Sequence, residues 1–293
     1  MIAAVTARAF RVVSELAPDG VDVRQLPEGR DEAAFVLPEW KDQETLKALA
    51  GLERLRVVQS LSAGTDWIEP LIPPWATLCN ARGARDAAVA EWVVGALLGD
   101  VYGLLEVARS RRWEYDAPGE LQGSTVLIVG FGSIGRAVER RLEPFGVSVI
   151  GVARSARDGV YAVSDLPELV GRADAVVVLL PLTVETTGLV GADLLAGMRD
   201  GALLVNAGRG AVVDTDALVA ELRSGRLRAV LDVVDPEPLP EGHPLWDLAL
   251  AITPHNAGDS VAADDRAIRL GAEQLGRYVR GEPLQNVVLA PES

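Results

Sequence analysis

The 293 residues contain two histidines, His243 and His255, and His255 closes an apolar run in Ile252-Thr253-Pro254-His255-Asn256-Ala257-Gly258. An imidazole is the side chain best suited to give and take a proton near neutral pH. Two other segments place complementary groups after similar runs. Asn206-Ala207-Gly208-Arg209-Gly210 carries Arg209, whose planar fork of donors suits a carboxylate or a polarised carbonyl. Leu231-Asp232-Val233-Val234-Asp235-Pro236-Glu237-Pro238 carries Asp232 and Glu237. Arginine, glutamate and histidine thus end three strand-like segments, and the carboxyl ends of strands border the ligand crevice of an α/β sheet. Hydride arriving at a carbonyl carbon leaves negative charge on oxygen. A protonated His255, favoured by a neighbouring Glu237, would donate a proton there, an effect of roughly 10²–10⁴ in rate. In reverse, neutral His255 would accept the hydroxyl proton.

A dinucleotide is implied by Ser124-Thr125-Val126-Leu127-Ile128-Val129-Gly130-Phe131-Gly132-Ser133-Ile134-Gly135-Arg136, an apolar strand running through a glycine turn into a helix. Gly130 permits the tight turn, Gly132 lets the backbone approach a pyrophosphate, and Gly135 allows close helix–strand packing. Free N–H groups at the helix start, from Ser133 and Ile134 onward, face the phosphates. The next strand ends Ile150-Gly151-Val152-Ala153-Arg154-Ser155, with no acid before Asp158. NAD-binding sheets usually carry an acid there for the ribose diol. Arg154 and Ser155, with Arg157 nearby, suit a 2′-phosphate instead, so NADP is expected to be preferred and NAD usable.

These residues need a sheet to position them. Strands are expected at Thr125–Val129, Ser148–Val152, Ala175–Leu180, Leu203–Asn206, Ala229–Val233 and Ala249–Thr253. Helices are expected at Ile134–Phe145, Asp165–Val170 and Asp214–Ser224. Six strands with intervening helices match a doubly wound dinucleotide-binding domain. Upstream, Ala33–Leu37, Leu55–Leu61 and Thr77–Asn80 read as strands and Gln43–Leu52 as a helix. Asp86 to about Trp113 reads as one long helix capped by Asp86, and Ser260–Arg280 as a helix returning to the first domain. The fold expected is α/β, with two doubly wound parallel sheets. A Rossmann cofactor domain, residues 91–258, is inserted into a flavodoxin-like substrate domain made of 1–90 and 259–293.

Composition narrows the partners. A formal charge of -14 argues against nucleic acid and anionic lipid. The most apolar stretch, Ala87–Leu105, contains Glu91 and Asp100 and falls short of a membrane span. The start lacks a basic leader, and a single cysteine, Cys79, suits a reducing compartment. The expected location is the cytoplasm. Cys79 reads as inert core, and no cluster has metal-ligand spacing.

The motifs VGFGSIG, NAGRG, LDVVDPEPLP, HPLW and TPHNAG, in that order between about Leu55 and Asn286, resemble the D-isomer-specific 2-hydroxyacid dehydrogenases. PEPLP and HPLW are most similar to glyoxylate and hydroxypyruvate reductases. The resemblance implies an NAD(P)-dependent oxidoreductase reducing a small 2-oxo acid to the D-2-hydroxy acid, with Arg209, Glu237 and His255 as its catalytic triad. It implies that backbone N–H groups of Ser62, Ala63 and Gly64, in Leu61-Ser62-Ala63-Gly64-Thr65, hold the substrate carboxylate alongside Arg209. It also implies that Asp232 meets the nicotinamide carboxamide, that Pro181, Thr187, Asn206, Ala207 and His255 line the cofactor, and that a homodimer forms on the Asp86–Trp113 segment. Trp246 either walls the substrate pocket or packs in the core. Alternatives on the same scaffold are a nucleotide-sensing protein like the corepressors of this fold, and a phosphite or formate dehydrogenase.

Overall fold

Short runs of valine, leucine and isoleucine, apolar on both faces, form parallel strands covered by helices on either side. The structure, a computed structural model, describes residues 1–110, 113 and 117–291. The chain falls into two units, Met1–Arg85 with Asp259–Ser293, and Asp86–Gly258. The first crossing lies at the start of a helix, ahead of the expected Glu91 within it.

The first unit runs β1 (Ile2–Val5), α1 (Ala7–Leu16), β2 (Asp22–Gln25), β3 (Phe35–Leu37), α2 (Gln43–Ala48), β4 (Val57–Gln59) and β5 (Thr77–Cys79). Its parallel order β2-β1-β3-β4-β5 is that of flavodoxin-like sheets. Sequence patterning missed β1, α1 and β2. Strand β1 is half alanine, which weakens its apolar signal. The edge strand β2 buries none of its side chains, and α1 buries only Ala9 and Val13.

The second unit opens with α3 (Asp86–Val101) and α4 (Leu104–Ser110). The single long helix expected here is therefore broken, at Tyr102 and Gly103, where Gly103 adopts a φ of 63°. Residues 111 and 112 of that expectation lie outside the described residues. Asp86 is the first helical residue rather than the cap preceding it. Apolar residues surround α3, which packs on α5 (Ser133–Leu142).

The sheet comprises β6 (Thr125–Val129), β7 (Ser148–Ala153), β8 (Val160–Ala162), β9 (Ala175–Val178), β10 (Leu203–Asn206), β11 (Arg228–Leu231) and β12 (Ala251–Ile252). Between them run α6 (Leu166–Leu169), α7 (Ala192–Ala196), α8 (Thr215–Arg223) and α9 (Leu245–Leu248). All seven strands are parallel in the order β8-β7-β6-β9-β10-β11-β12, the Rossmann order with one strand more. The unforeseen strand is β8, three residues at the edge. In the central strands β9 and β10 every residue is buried.

The chain then returns to the first unit. Helix α10 (Val261–Val279) is capped by Ser260, whose hydroxyl accepts from the N–H of Ala263, and packs on α1. A last strand, β13 (Val287–Leu289), adds antiparallel to β5.

Candidate active site

Register brings the first pieces together. Leu231 of β11 pairs with Ile252 of β12, so Asp232 and Thr253, the next residues on each strand, are neighbours. The Asp232 carboxylate is 4% exposed and accepts from Thr253 Oγ1 at 2.5 Å, Asn256 N at 2.9 Å and Ala257 N at 3.1 Å. Its backbone carbonyl accepts from His255 N at 2.8 Å. A buried charge is tolerated only when donors replace water, and here the donors come from one loop, 253–257. Within that loop His255 has a φ of 53°, a left-handed conformation uncommon outside glycine that persists only where surroundings over-determine it. The Asp232 latch supplies that determination.

The latched loop presents His255 to Glu237, with Nδ1 and Oε1 2.6 Å apart. Both side chains are about two-fifths exposed, at 43% and 41%. With Nδ1 facing a carboxylate, Nδ1 carries the proton of the neutral ring, and Nε2 is the nitrogen that exchanges a proton with another group.

Arg209 sits in the turn after β10. The Asn206 side chain shapes that turn: Oδ1 accepts from Gly208 N and Nδ2 donates to Arg209 O, both at 3.1 Å. A Cβ on Gly208 would lie 2.6 Å from Leu180 O, and one on Gly210 only 1.9 Å from Val234 O. These glycines let the turn press against both neighbouring loops with a half-buried Arg209 between them. Asn206, expected along the cofactor, has its amide engaged within this turn, and Ala207 N donates to Val178 O at 3.1 Å.

The glycine loop has the geometry a pyrophosphate needs. Gly130 has a φ of 102°, and a Cβ there would meet the Leu179 backbone at 2.7 Å. Gly132 has open space around it. The N–H groups of Ser133, Ile134 and Gly135, the first turn of α5, meet no acceptor among the described residues, and no side chain caps the helix. Orphan donors at a helix N-terminus form an anion site. These residues fit a dinucleotide. The Ser133 hydroxyl donates to Asp86 Oδ1 at 3.3 Å.

Arg154 and Ser155 stand exposed after β7, and Arg157 reaches back to donate to Phe131 O at 2.5 Å, inside the glycine turn. A hydrogen bond from Thr183 and, more weakly, the charge of Arg154 hold the exposed Glu185 carboxyl below its usual range. Pro181 and Thr187 are exposed in that same segment, where Thr186 Oγ1 donates to Pro181 O and Thr187 Oγ1 to Thr183 O, each at 2.7 Å.

In the first unit, the half-buried loop Ser62-Ala63-Gly64 follows β4. Ser62 N donates to Ser60 Oγ at 3.0 Å, whereas the N–H groups of Ala63 and Gly64 meet no acceptor among the described residues. Two of the three expected donors are thus open. Cys79 is fully buried and its thiol is pushed up to about 11 by burial, which leaves it inert at neutral pH. Trp246 is 47% exposed with Nε1 on Pro240 O at 2.9 Å, so it is not core. Sequence reasoning missed Thr253 and the contact of Arg157 with the glycine turn. The first stood in the Thr-Pro-His motif, and the second was noted only as a nearby cation.

Residues 94–257 match the family model for D-isomer specific 2-hydroxyacid dehydrogenase, NAD binding domain. The chain is 32% identical over 289 residues to a D-3-phosphoglycerate dehydrogenase of Methanocaldococcus jannaschii, covering 93% of this chain and 55% of the relative. It therefore spans about half the length of that relative. A glyoxylate reductase of Thermofilum pendens is 34% identical over 275 residues, covering 86% of this chain and 79% of the relative. Among solved structures, the NADPH-dependent glyoxylate/hydroxypyruvate reductase of Sinorhizobium meliloti, in complex with NADP and sulfate, matches with a TM-score of 0.84 at 29% identity, covering 98% of each chain.

Proposed function

The chain belongs to the D-isomer specific 2-hydroxyacid dehydrogenase family, and from that premise we propose that it reduces a small 2-oxo acid of the glyoxylate or hydroxypyruvate kind to the D-2-hydroxy acid, preferring NADPH. The observation that carries this reading is the His255–Glu237 pair at 2.6 Å, on a loop held in a left-handed turn by a buried carboxylate. A nicotinamide dinucleotide, when bound, supplies the hydride. His255 Nε2 donates the proton to the substrate oxygen, and Glu237 at Nδ1 orients the ring and balances the imidazolium charge. In oxidation the same nitrogen accepts the hydroxyl proton. Arg209 binds the substrate through its guanidinium. The N–H groups of Ala63 and Gly64 are donors for its carboxylate, with Ser62 shaping the loop.

For the cofactor, the glycine turn and the first N–H groups of α5 take the pyrophosphate, with Asp232, Pro181, Thr187, Asn206 and Ala207 along the nicotinamide half. Arg154 and Ser155 take the 2′-phosphate, Ala153 standing where an acid would repel it. Tyr102, in the break after α3, and Leu104 and Val107 on α4 are 47–59% exposed, an apolar surface suited to a second copy of the chain. Sedimentation at micromolar concentration checks for that homodimer. Among the described residues no helix is long and apolar enough to cross a membrane. One cysteine suits a reducing compartment such as the cytoplasm.

The test is a panel of 2-oxo acids assayed with each reduced cofactor, alongside aldehydes and ketones that lack the carboxylate. Turnover confined to small 2-oxo acids and faster with NADPH is expected. Equal activity on carboxylate-free carbonyls would overturn the assignment.

A further inference from the structure

The loop after β4 is held from one side through its carbonyls. Leu61 O accepts from Arg85 Nε at 3.2 Å, Ser62 O from Ala81 N at 2.9 Å, Ala63 O from Asn80 Nδ2 at 2.8 Å and Gly64 O from Trp67 Nε1 at 3.1 Å. In a planar trans peptide the C=O of one residue and the N–H of the next point in opposite directions. Pinning Ser62 O therefore aims the Ala63 N–H away from the pins, and pinning Ala63 O does the same for the Gly64 N–H. Neither of those two N–H groups meets an acceptor among the described residues.

Of the pins, Ala81 acts through its backbone, and Arg85 and Trp67 hold the flanks. Asn80 alone is a side chain gripping the peptide between the two open donors. Its amide orientation is set on both sides: Oδ1 accepts from Arg82 N at 3.1 Å while Nδ2 donates to Ala63 O. Its backbone is fixed in turn, since Asn80 N donates to Asn286 O at 3.1 Å beside the β5–β13 pairing.

We infer that Asn80, at the end of β5, is a positioning residue that aims the Gly64 N–H at the substrate carboxylate. This rests on the reading of the Ser62–Gly64 loop given above. The side chain does not touch substrate. It holds the peptide whose far edge does, so its loss frees that peptide to rotate and misdirects one of two donors. A hydrogen bond to a charged group that loses its alignment costs affinity about tenfold.

The test uses Asn80→Ala and Asn80→Asp in the full chain. The second keeps shape and an acceptor for Arg82 N but turns an acceptor oxygen toward Ala63 O and sets a negative charge behind the anion seat. Steady-state reduction of glyoxylate and hydroxypyruvate at saturating NADPH should show KM raised about tenfold in Asn80→Ala and further in Asn80→Asp, with kcat within about twofold of wild type. Calorimetric affinity for oxamate, an unreactive 2-oxo acid mimic, should fall in parallel. Dinucleotide affinity should stay constant, which a general loss of structure would not allow. Wild-type KM and oxamate affinity in both variants would overturn the positioning role. Failure of the wild-type protein to turn over any 2-oxo acid would instead overturn the functional reading beneath it.

Discussion

Replacing Asp232 separates the latch from the cofactor. Its Oδ1 accepts from Thr253 Oγ1, Asn256 N and Ala257 N, whereas Oδ2 shares only Ala257 N at 3.1 Å. Asp232→Ala removes every side-chain acceptor and keeps only the backbone carbonyl that takes His255 N. The Thr253 hydroxyl can rotate to another partner, but the two backbone donors cannot, and the one at Ala257 is buried. At about 1–3 kcal/mol for each orphaned donor, discounted for partial exposure at Asn256, the loss is about 2–4 kcal/mol. That is a large share of a typical stability of about 5–15 kcal/mol. The left-handed backbone at His255, which itself costs about 1–3 kcal/mol, then relaxes and moves the imidazole away from Glu237. Turnover should fall by about 10²–10⁴, the worth of a positioned general acid. Asp232→Asn behaves differently. An amide oxygen at the Oδ1 position keeps all three donors, so only charge assistance is lost, about 1–2 kcal/mol. Urea unfolding and steady-state kinetics on both variants, with dinucleotide titration, form the assay. If alanine and asparagine weaken cofactor binding alike while leaving stability and kcat intact, Asp232 acts on the cofactor alone and the latch argument is wrong.

His255→Ala should lower kcat about 10²–10⁴-fold while leaving dinucleotide affinity unchanged, as titration of the free variant will show. Glu237→Gln should lower kcat for reduction and leave dinucleotide affinity unchanged, because His255 Nδ1 loses the carboxylate that orients the ring at 2.6 Å; an unchanged kcat refutes the pairing. Arg154→Ala should raise KM for NADPH about ten- to a hundred-fold and leave NADH unaffected; equal weakening of both cofactors contradicts a 2′-phosphate contact. Asp100, 8% exposed on α3, has its carboxyl pushed up to about 6 from 3.8 by burial, against the opposing pull of Arg228 at 2.9 Å. Because the native state keeps a proton that the unfolded state has released, this group makes stability fall as pH rises from about 4 through about 6. The span corresponds to at most about 3 kcal/mol. Asp100→Asn should flatten that slope in urea titrations across this range and stabilise the protein at neutral pH. An unchanged slope would show that the carboxyl titrates normally.

Much of the second unit is written in local sequence. Buried parallel strands must be apolar on both faces, so Val-Leu-Ile-Val and Leu-Leu-Val-Asn read as strands without any partner being known. The glycine turn reads equally well, because backbone conformation and close approach restrict those positions whatever lies elsewhere. The ends of three such strands also expose Arg209, Glu237 and His255 as groups with acid–base and anion-binding chemistry. The first twenty-five residues were less legible, since β1 is half alanine, α1 buries only Ala9 and Val13, and the edge strand β2 has no buried side chain. The break at Gly103 also escaped, because α3 is apolar all round and its pattern gives no sign of where helix should stop. What only the tertiary structure decided is which donor meets which acceptor. Asp232 latches the His255 loop because β11 and β12 pair in a register that sets Asp232 beside Thr253, twenty-one residues away along the chain. Asn80 grips Ala63 because β4 and β5 are neighbours whose loops leave the same edge of the sheet. Sequence spacing encodes local conformation and burial. Hydrogen bonds between strands depend on register and on distances of a few tenths of an ångström, which exist only once the sheet has closed.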